Sequence, residues 1–329
     1  MPHLPHTDFF FFADDIPELA WFSMPRRFAR WLFTLILLSC PTASSSLTAA
    51  HNPQNPKGNK PKLELRTERT SFLDLEVAGN LVGLSPATKR YVRREDLLAL
   101  PQVSFAVDDD ANFAQPATIS GVDLDLLARE LAADGEQAYI VAVCKDWYRG
   151  HFPRDYREIH RPVLALKVND QPPSGWPERK DIPGSSMAPY LITHQRFTPS
   201  FKILAHEDEP QIPWGVVRLE FMSEKAALAG IAPQGPSANA PDVQAGYHIA
   251  QQNCFRCHGP DSDEPLKGKL IWAGIGLFAS LAPRNFAAYV HDPQALTKDS
   301  QMPPNPEYDA NTLQALISYF RTFAAAEKR

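Results

Sequence analysis

The sequence predicts a multidomain chain, an α+β module built on a mixed sheet followed by an all-α module. Three observations predict it. Between residues 63 and 231, short apolar runs of strand length are interspersed with helix-like segments. Two proline-rich breaks, at 51–62 and 232–241, bracket that stretch. Beyond the second break, residues 242–329 carry helical patterns at both ends.

The 329 residues allow one to three domains. Hydrophobic content of 44% and charged content of 22% are those of ordinary globular protein. The 31 prolines cluster and mark linkers and long loops. A net charge of −5 provides no basic footprint for nucleic acid, so that class of partner is excluded. Four cysteines, Cys40, Cys144, Cys254 and Cys257, do not make a disulfide framework.

The start reads as an export signal behind an over-extended first codon. Residues 1–23 hold Asp8, Asp14, Asp15 and Glu18 and no Lys or Arg, whereas a signal begins positive. From Met24 the order is orthodox. Arg26, Arg27 and Arg30 precede an apolar core from Trp31 to Leu38, and small residues run on to Ala50. Residues 24–50 are therefore the expected signal peptide. That core is too short for a resting membrane span, so no transmembrane segment is expected in the mature chain. Leu37-Leu38-Ser39-Cys40 also resembles a lipoprotein processing box, which would anchor the chain through Cys40. Residues 51–62 follow as a flexible linker with Pro53, Pro56, Pro61 and Gly58.

In 63–231 the spacing predicts a strand at Leu73 to Val77 and a helix from Arg94 to Leu100 stopped by Pro101. A broader helical face runs from Val122 to Leu131 and ends near Gly135. Strands are expected at Tyr139 to Val143, Val163 to Val168, Lys202 to Ala205 and Val216 to Phe221. The stretch Cys144 to His160 is dense in Lys, Arg, Asp, Glu, Tyr and His. It reads as a polar loop crossing the surface, with a cofactor or anion site as the rival reading. A metal site from His151, His160 and His194 lacks any regular spacing to support it.

The order Asp96-Leu97-Leu98-Ala99-Leu100-Pro101, then Gly121 to Leu127, Val143 to Tyr148 and Pro162 to Leu166, resembles the molybdopterin-binding domain of the sulfite oxidase family. The resemblance implies an α+β fold and a molybdenum ligated by a cysteine between the Leu-Pro element and the Gly-Val helix. Residues 102–120 contain no cysteine, and Asp108-Asp109-Asp110 stands where one is wanted. Molybdenum needs a soft thiolate there, so the molybdenum cofactor is not expected. Cys144 is either a substitute ligand or a buried structural cysteine, and the second is favoured.

Residues 232–241, APQGPSANAP, form the second linker, and Asp242 stands where it would cap a helix from Val243 to Asn253. Then comes Cys254-Phe255-Arg256-Cys257-His258. C-x-x-C alone is shared by redox dithiols, zinc sites and haem; the following histidine makes it the attachment signature of a c-type haem. Two thiols three positions apart each add to a vinyl group of one haem, and His258 is held under the iron. At the end of the chain, Leu313, Leu316, Ile317 and Phe320 line one face of a helix from Asn311 to Phe323.

Gly246 eight residues before Cys254, the C-x-x-C-H stretch and the closing helix resemble a class I cytochrome c over residues 242–329. The resemblance implies that Gly246 lets the first helix cross the last, with Tyr319 and Phe320 packed there. It implies that His258 donates its second ring proton to a backbone carbonyl beyond Pro260. It also implies Met302, in Gln301-Met302-Pro303-Pro304, as the sixth iron ligand. His248 and His291 are the rivals. Eight Lys/Arg against nine Asp/Glu leave residues 242–329 near neutral, without steering toward either sign of partner.

The expected function is a periplasmic mono-haem cytochrome. It carries electrons through a haem c held covalently by Cys254 and Cys257, with His258 and Met302 on the iron. Its α+β module docks a redox partner protein. The alternative is an oxidoreductase whose α+β module oxidises a small substrate, with a molybdenum cofactor as its candidate metal group, and passes the electrons to the haem.

Overall fold

The computed structural model describes residues 63–108, 112–180, 182–196, 208–260 and 265–324. All of them lie in one compact unit, 58–329. The signal, the Cys40 processing box, the linker at 51–62, Asp109, Asp110 and the strand expected at Lys202 to Ala205 fall outside the described residues.

The first part of the chain is α+β. Its elements in order are β1 (Leu75–Gly79), β2 (Arg90–Val92), α1 (Arg94–Leu98), β3 (Val103–Val107), β4 (Ala117–Asp123) and α2 (Leu124–Leu131). They continue with β5 (Tyr139–Cys144), β6 (Arg149–Phe152), α3 (Arg154–His160), β7 (Pro162–Val168), β8 (Leu191–His194), β9 (Val216–Met222) and α4 (Glu224–Leu228). They make two sheets where one was expected. The larger has the order β2-β1-β9-β5-β6, with β1 parallel to β9 and its other pairs antiparallel. The smaller, β3-β4-β7-β8, is antiparallel throughout.

Strand β5 is apolar without alternation because both of its faces are covered. Ile140, Ala142 and Cys144 enter the main core with α2, while Tyr139, Val141 and Val143 pack against Met222, Ala227 and Leu228. Helix α2 starts where Asp123 caps it, its Oδ1 accepting from the backbone N–H of Asp125 at 2.9 Å and of Leu126 at 3.3 Å. Val122, expected on this helix, is instead the penultimate residue of β4.

Residues 144–160 are not a surface loop. They form the β5–β6 hairpin and α3, and Arg157 is completely buried. Each nitrogen of its guanidinium has an acceptor. Nε reaches Asp125 Oδ1 at 2.7 Å, and the two terminal nitrogens donate to the carbonyls of Ala138, Phe152 and Glu136, each at 2.7 Å. A buried charge is tolerated where every donor finds an acceptor. Cys144 lies in the main core, and burial pushes its thiol well above the ordinary value.

From residue 241 onward the described elements are helices and one 3-10 turn: α5 (Pro241–Gln252), α6 (Trp272–Leu281), α7 (Pro283–His291), α8 (Pro293–Leu296) and α9 (Ala310–Ala324). Pro241 at the first turn moves the start of α5 back, so Ala240 is the cap position and Asp242 is not the cap. The Asp242 carboxyl is instead held below its usual value by a hydrogen bond with Ser318 on α9. Helices α5 and α9 touch at Gly246, where a Cβ would fall 2.1 Å from the carbonyl oxygen of Ala315. The Tyr247 and Tyr319 rings stack across this crossing at 5.5 Å. Trp272 on α6 donates to the Tyr319 hydroxyl at 2.8 Å, and that hydroxyl donates to the carbonyl of Ile231 at 2.6 Å. Among the described residues no helix is long and apolar enough to cross a membrane.

Candidate functional site

The C-x-x-C-H stretch leaves α5 as a 3-10 turn, Cys254–Arg256. Both the Cys257 and His258 backbone N–H groups bond the Cys254 carbonyl, at 3.2 and 3.0 Å. This i, i+3 geometry stacks the two half-buried thiols one turn apart, with no disulfide between them. Burial pushes the Cys254 thiol up to about 12 and raises that of Cys257.

His258 is held by its Nδ1, which lies 2.8 Å from the Leu270 carbonyl. A carbonyl only accepts, so Nδ1 carries the proton and Nε2 keeps its lone pair for a metal. Burial lowers the pKa of the ring, with the Leu270 carbonyl opposing, and so favours the neutral, ligating form. Two closing contacts set the ring's place. Gly268 N–H donates to the Cys257 carbonyl at 2.7 Å, and Trp272 N–H to that of Gly259 at 2.8 Å. A Cβ on Gly268 would stand 2.4 Å from the imidazole. The sequence reading missed Gly268, and its only signal there was a glycine in a loop of lysines.

Met302 is half-buried against the helical core, on the same cluster that Cys254 touches. Its carbonyl accepts from Gln294 Nε2 at 2.8 Å, which pins the loop. Of the rivals, His248 is exposed on α5 beside Gln252, and His291 Nε2 donates to the Pro306 carbonyl at 3.1 Å. The residues present fit a thioether-bound haem. They offer two thiols on one turn, an imidazole whose Nε2 has no hydrogen-bond partner among the described residues, and a thioether on the edge of an apolar core.

The α+β module closes on the outside of this turn. His151 on β6 stacks on Phe255 with ring centroids 4.2 Å apart and planes 12° from parallel, and its Nε2–H donates to the Phe255 carbonyl at 3.2 Å. Gln211 Nε2 donates to the Gln252 carbonyl at 3.0 Å, and Glu209 N–H to Gln252 Oε1 at 2.6 Å. Arg256 pairs with Glu209 at 3.3 Å, and the more exposed Lys267 with Asp146 at 2.7 Å. Sequence reading singled out none of these as partners of the turn.

His160 and His194 approach each other, 6.1 Å between ring centroids, around Tyr156, whose hydroxyl meets His194 Nε2 at 2.9 Å. His160 Nε2 faces the Asp208 carboxylate at 2.8 Å. His151 is not with them, since its ring lies on Phe255. Among the described residues no three His, Cys, Asp or Glu gather as a metal site.

No protein-family model matches the chain. No curated protein matches it either. Among solved structures, the sulfane dehydrogenase SoxCD from Paracoccus pantotrophus is similar at 15% identity and a TM-score of 0.31, over 53% of this chain and 45% of that one. The chain thus spans less than half the length of that structure.

Proposed function

We propose that the chain is an exported, periplasmic mono-haem c-type cytochrome that transfers electrons one at a time. Cys254 and Cys257 would hold the haem covalently, and His258 and Met302 would ligate its iron. The haem would supply an iron that gains and loses one electron. Ligation by both residues would favour electron transfer over binding of oxygen or peroxide.

One observation carries this reading. The two thiols and the imidazole leave a single 3-10 turn with His258 Nδ1 bonded to the Leu270 carbonyl. The role of the α+β module changes in one respect. The face formed by Asp146, His151, Glu209 and Gln211 is covered by the chain's own Gln252, Phe255, Arg256 and Lys267, so the proposed redox partner would dock elsewhere.

The test is a spectrum and a metal analysis of protein exported in a host that attaches haem c. One iron per chain, retained through acid organic extraction, is the expected result. Loss of that covalent haem in the Cys254→Ala, Cys257→Ala double variant completes it. Stoichiometric molybdenum would move the reading to the substrate-oxidising alternative. Met302→Ala should remove the weak far-red sulfur-to-iron band of the oxidised protein. If the unmutated protein has no such band, Met302 is not the ligand.

A further inference from the structure

Arg256 sits between the two haem-attaching cysteines and two residues before His258. Its backbone is therefore part of that turn, and where its charge lies depends on what holds the side chain. Its side chain does not reach for solvent, being 14% exposed, and its carboxylate partner Glu209 is 3% exposed. Glu209 arrives from the α+β module and is held on several sides. Its Oε2 faces Arg256 at 3.3 Å, and its Oε1 accepts from Asn253 Nδ2 and from the Tyr308 hydroxyl, each at 3.4 Å. Asn253, the residue before Cys254, also bonds the Tyr308 hydroxyl and Asn305 Oδ1. The arrangement is a buried ion pair with one member in the haem turn and the other fixed by a different module.

We propose that Glu209 is a positioning residue that sets the reduction potential of the haem by countering the charge of Arg256. The inference rests on the haem reading above. Its physics is brief. Iron changes its charge by one unit on reduction, so a fixed charge nearby favours one oxidation state. In the interior that effect is little screened by salt or water. Arg256 alone favours the reduced iron. Glu209 restores the balance toward the oxidised form, and it keeps the guanidinium in one place. The α+β module is then part of the haem's electrostatic environment as well as a mount for it.

The experiment is a spectroelectrochemical titration of the full-length, haem-loaded protein. Glu209→Gln should raise the midpoint, changing the oxidised-to-reduced ratio at a fixed applied potential by roughly tenfold. Glu209→Asp should recover most of the shift. Arg256→Gln should lower the midpoint, and the double variant should fall between the two single ones. Asp146→Asn removes a carboxylate from the partly exposed Lys267 pair and should shift the midpoint far less, because water screens that pair.

Haem at an unchanged midpoint in Glu209→Gln overturns the inference and leaves the cytochrome reading standing. An equal shift in Asp146→Asn also overturns it, since burial would then not matter. If Glu209→Gln does not fold, Arg256→Gln carries the test: a lowered midpoint supports the inference and an unchanged one overturns it. A chain with no thioether-bound haem overturns the cytochrome reading and this inference with it.

Discussion

Arg157 in the α+β part and Arg256 in the Cys254–His258 turn are both largely shielded from water, and they are held differently. Arg157 in the α+β module has an aspartate and three carbonyls, all at 2.7 Å. Arg256 in the Cys254–His258 turn has one carboxylate at 3.3 Å, and its Nε has no partner among the described residues. The first arrangement is what a structural charge requires, because each lost acceptor adds a desolvation cost. The second is looser than stability would select. A charge held this loosely suits the electrostatic role proposed for it better than a structural one.

The largest effect should come from breaking the tightly held site. Arg157→Met orphans three carbonyls and leaves Asp125 only its pair with the partly exposed Arg161 at 3.1 Å, and should cost about 3 kcal/mol of stability, read as a lower denaturant midpoint. A loss near zero would erase the distinction between the two arginines.

The next test moves to the buried histidines. Burial holds both His151 and His194 at a pKa of about 3, against an ordinary 6.5. Between those values the unfolded chain binds protons that the folded chain refuses. Stability from this source is therefore complete above pH 6.5 and is lost as the pH falls toward 3. His194→Gln should flatten the fall in unfolding free energy across that window by about 1.4 kcal/mol per pH unit. An unchanged slope would show that the ring titrates freely in the folded protein.

The smallest effect is expected for the double replacement Arg256→Met with Glu209→Gln. Removing both members of a loosely held buried pair should change stability by less than about 1 kcal/mol, since the lost attraction and the relieved desolvation nearly cancel. A loss as large as that of Arg157→Met would make Arg256 structural after all.

Local patterns were legible wherever the partner was close in the chain. The C-x-x-C-H turn could be read because i, i+3 thiols face one way in any tight helical turn. Gly246 could be read because an absent side chain is the signal for a close helix crossing, and the crossing lies there. The reading of 144–160 as a polar loop failed because charge alone suggests solvent. The acceptors that bury Arg157 are mostly carbonyls, which composition does not show. Asp242 was misassigned as a cap because Pro241 already begins the helix.

What the sequence determined by itself was the set of local elements: the strands of the larger sheet that alternate or run apolar, the amphipathic α9, and the turn bearing Cys254, Cys257 and His258. What only the tertiary structure decided was the surroundings of that turn. The Leu270 carbonyl behind His258, Gly268 against its ring, His151 on Phe255 and Glu209 on Arg256 are all tertiary choices. Backbone carbonyls carry no residue identity. The seam partners lie as far as 104 residues away, so no period or spacing in the chain can encode them. They follow from the way the two sheets and the helices around them fill space.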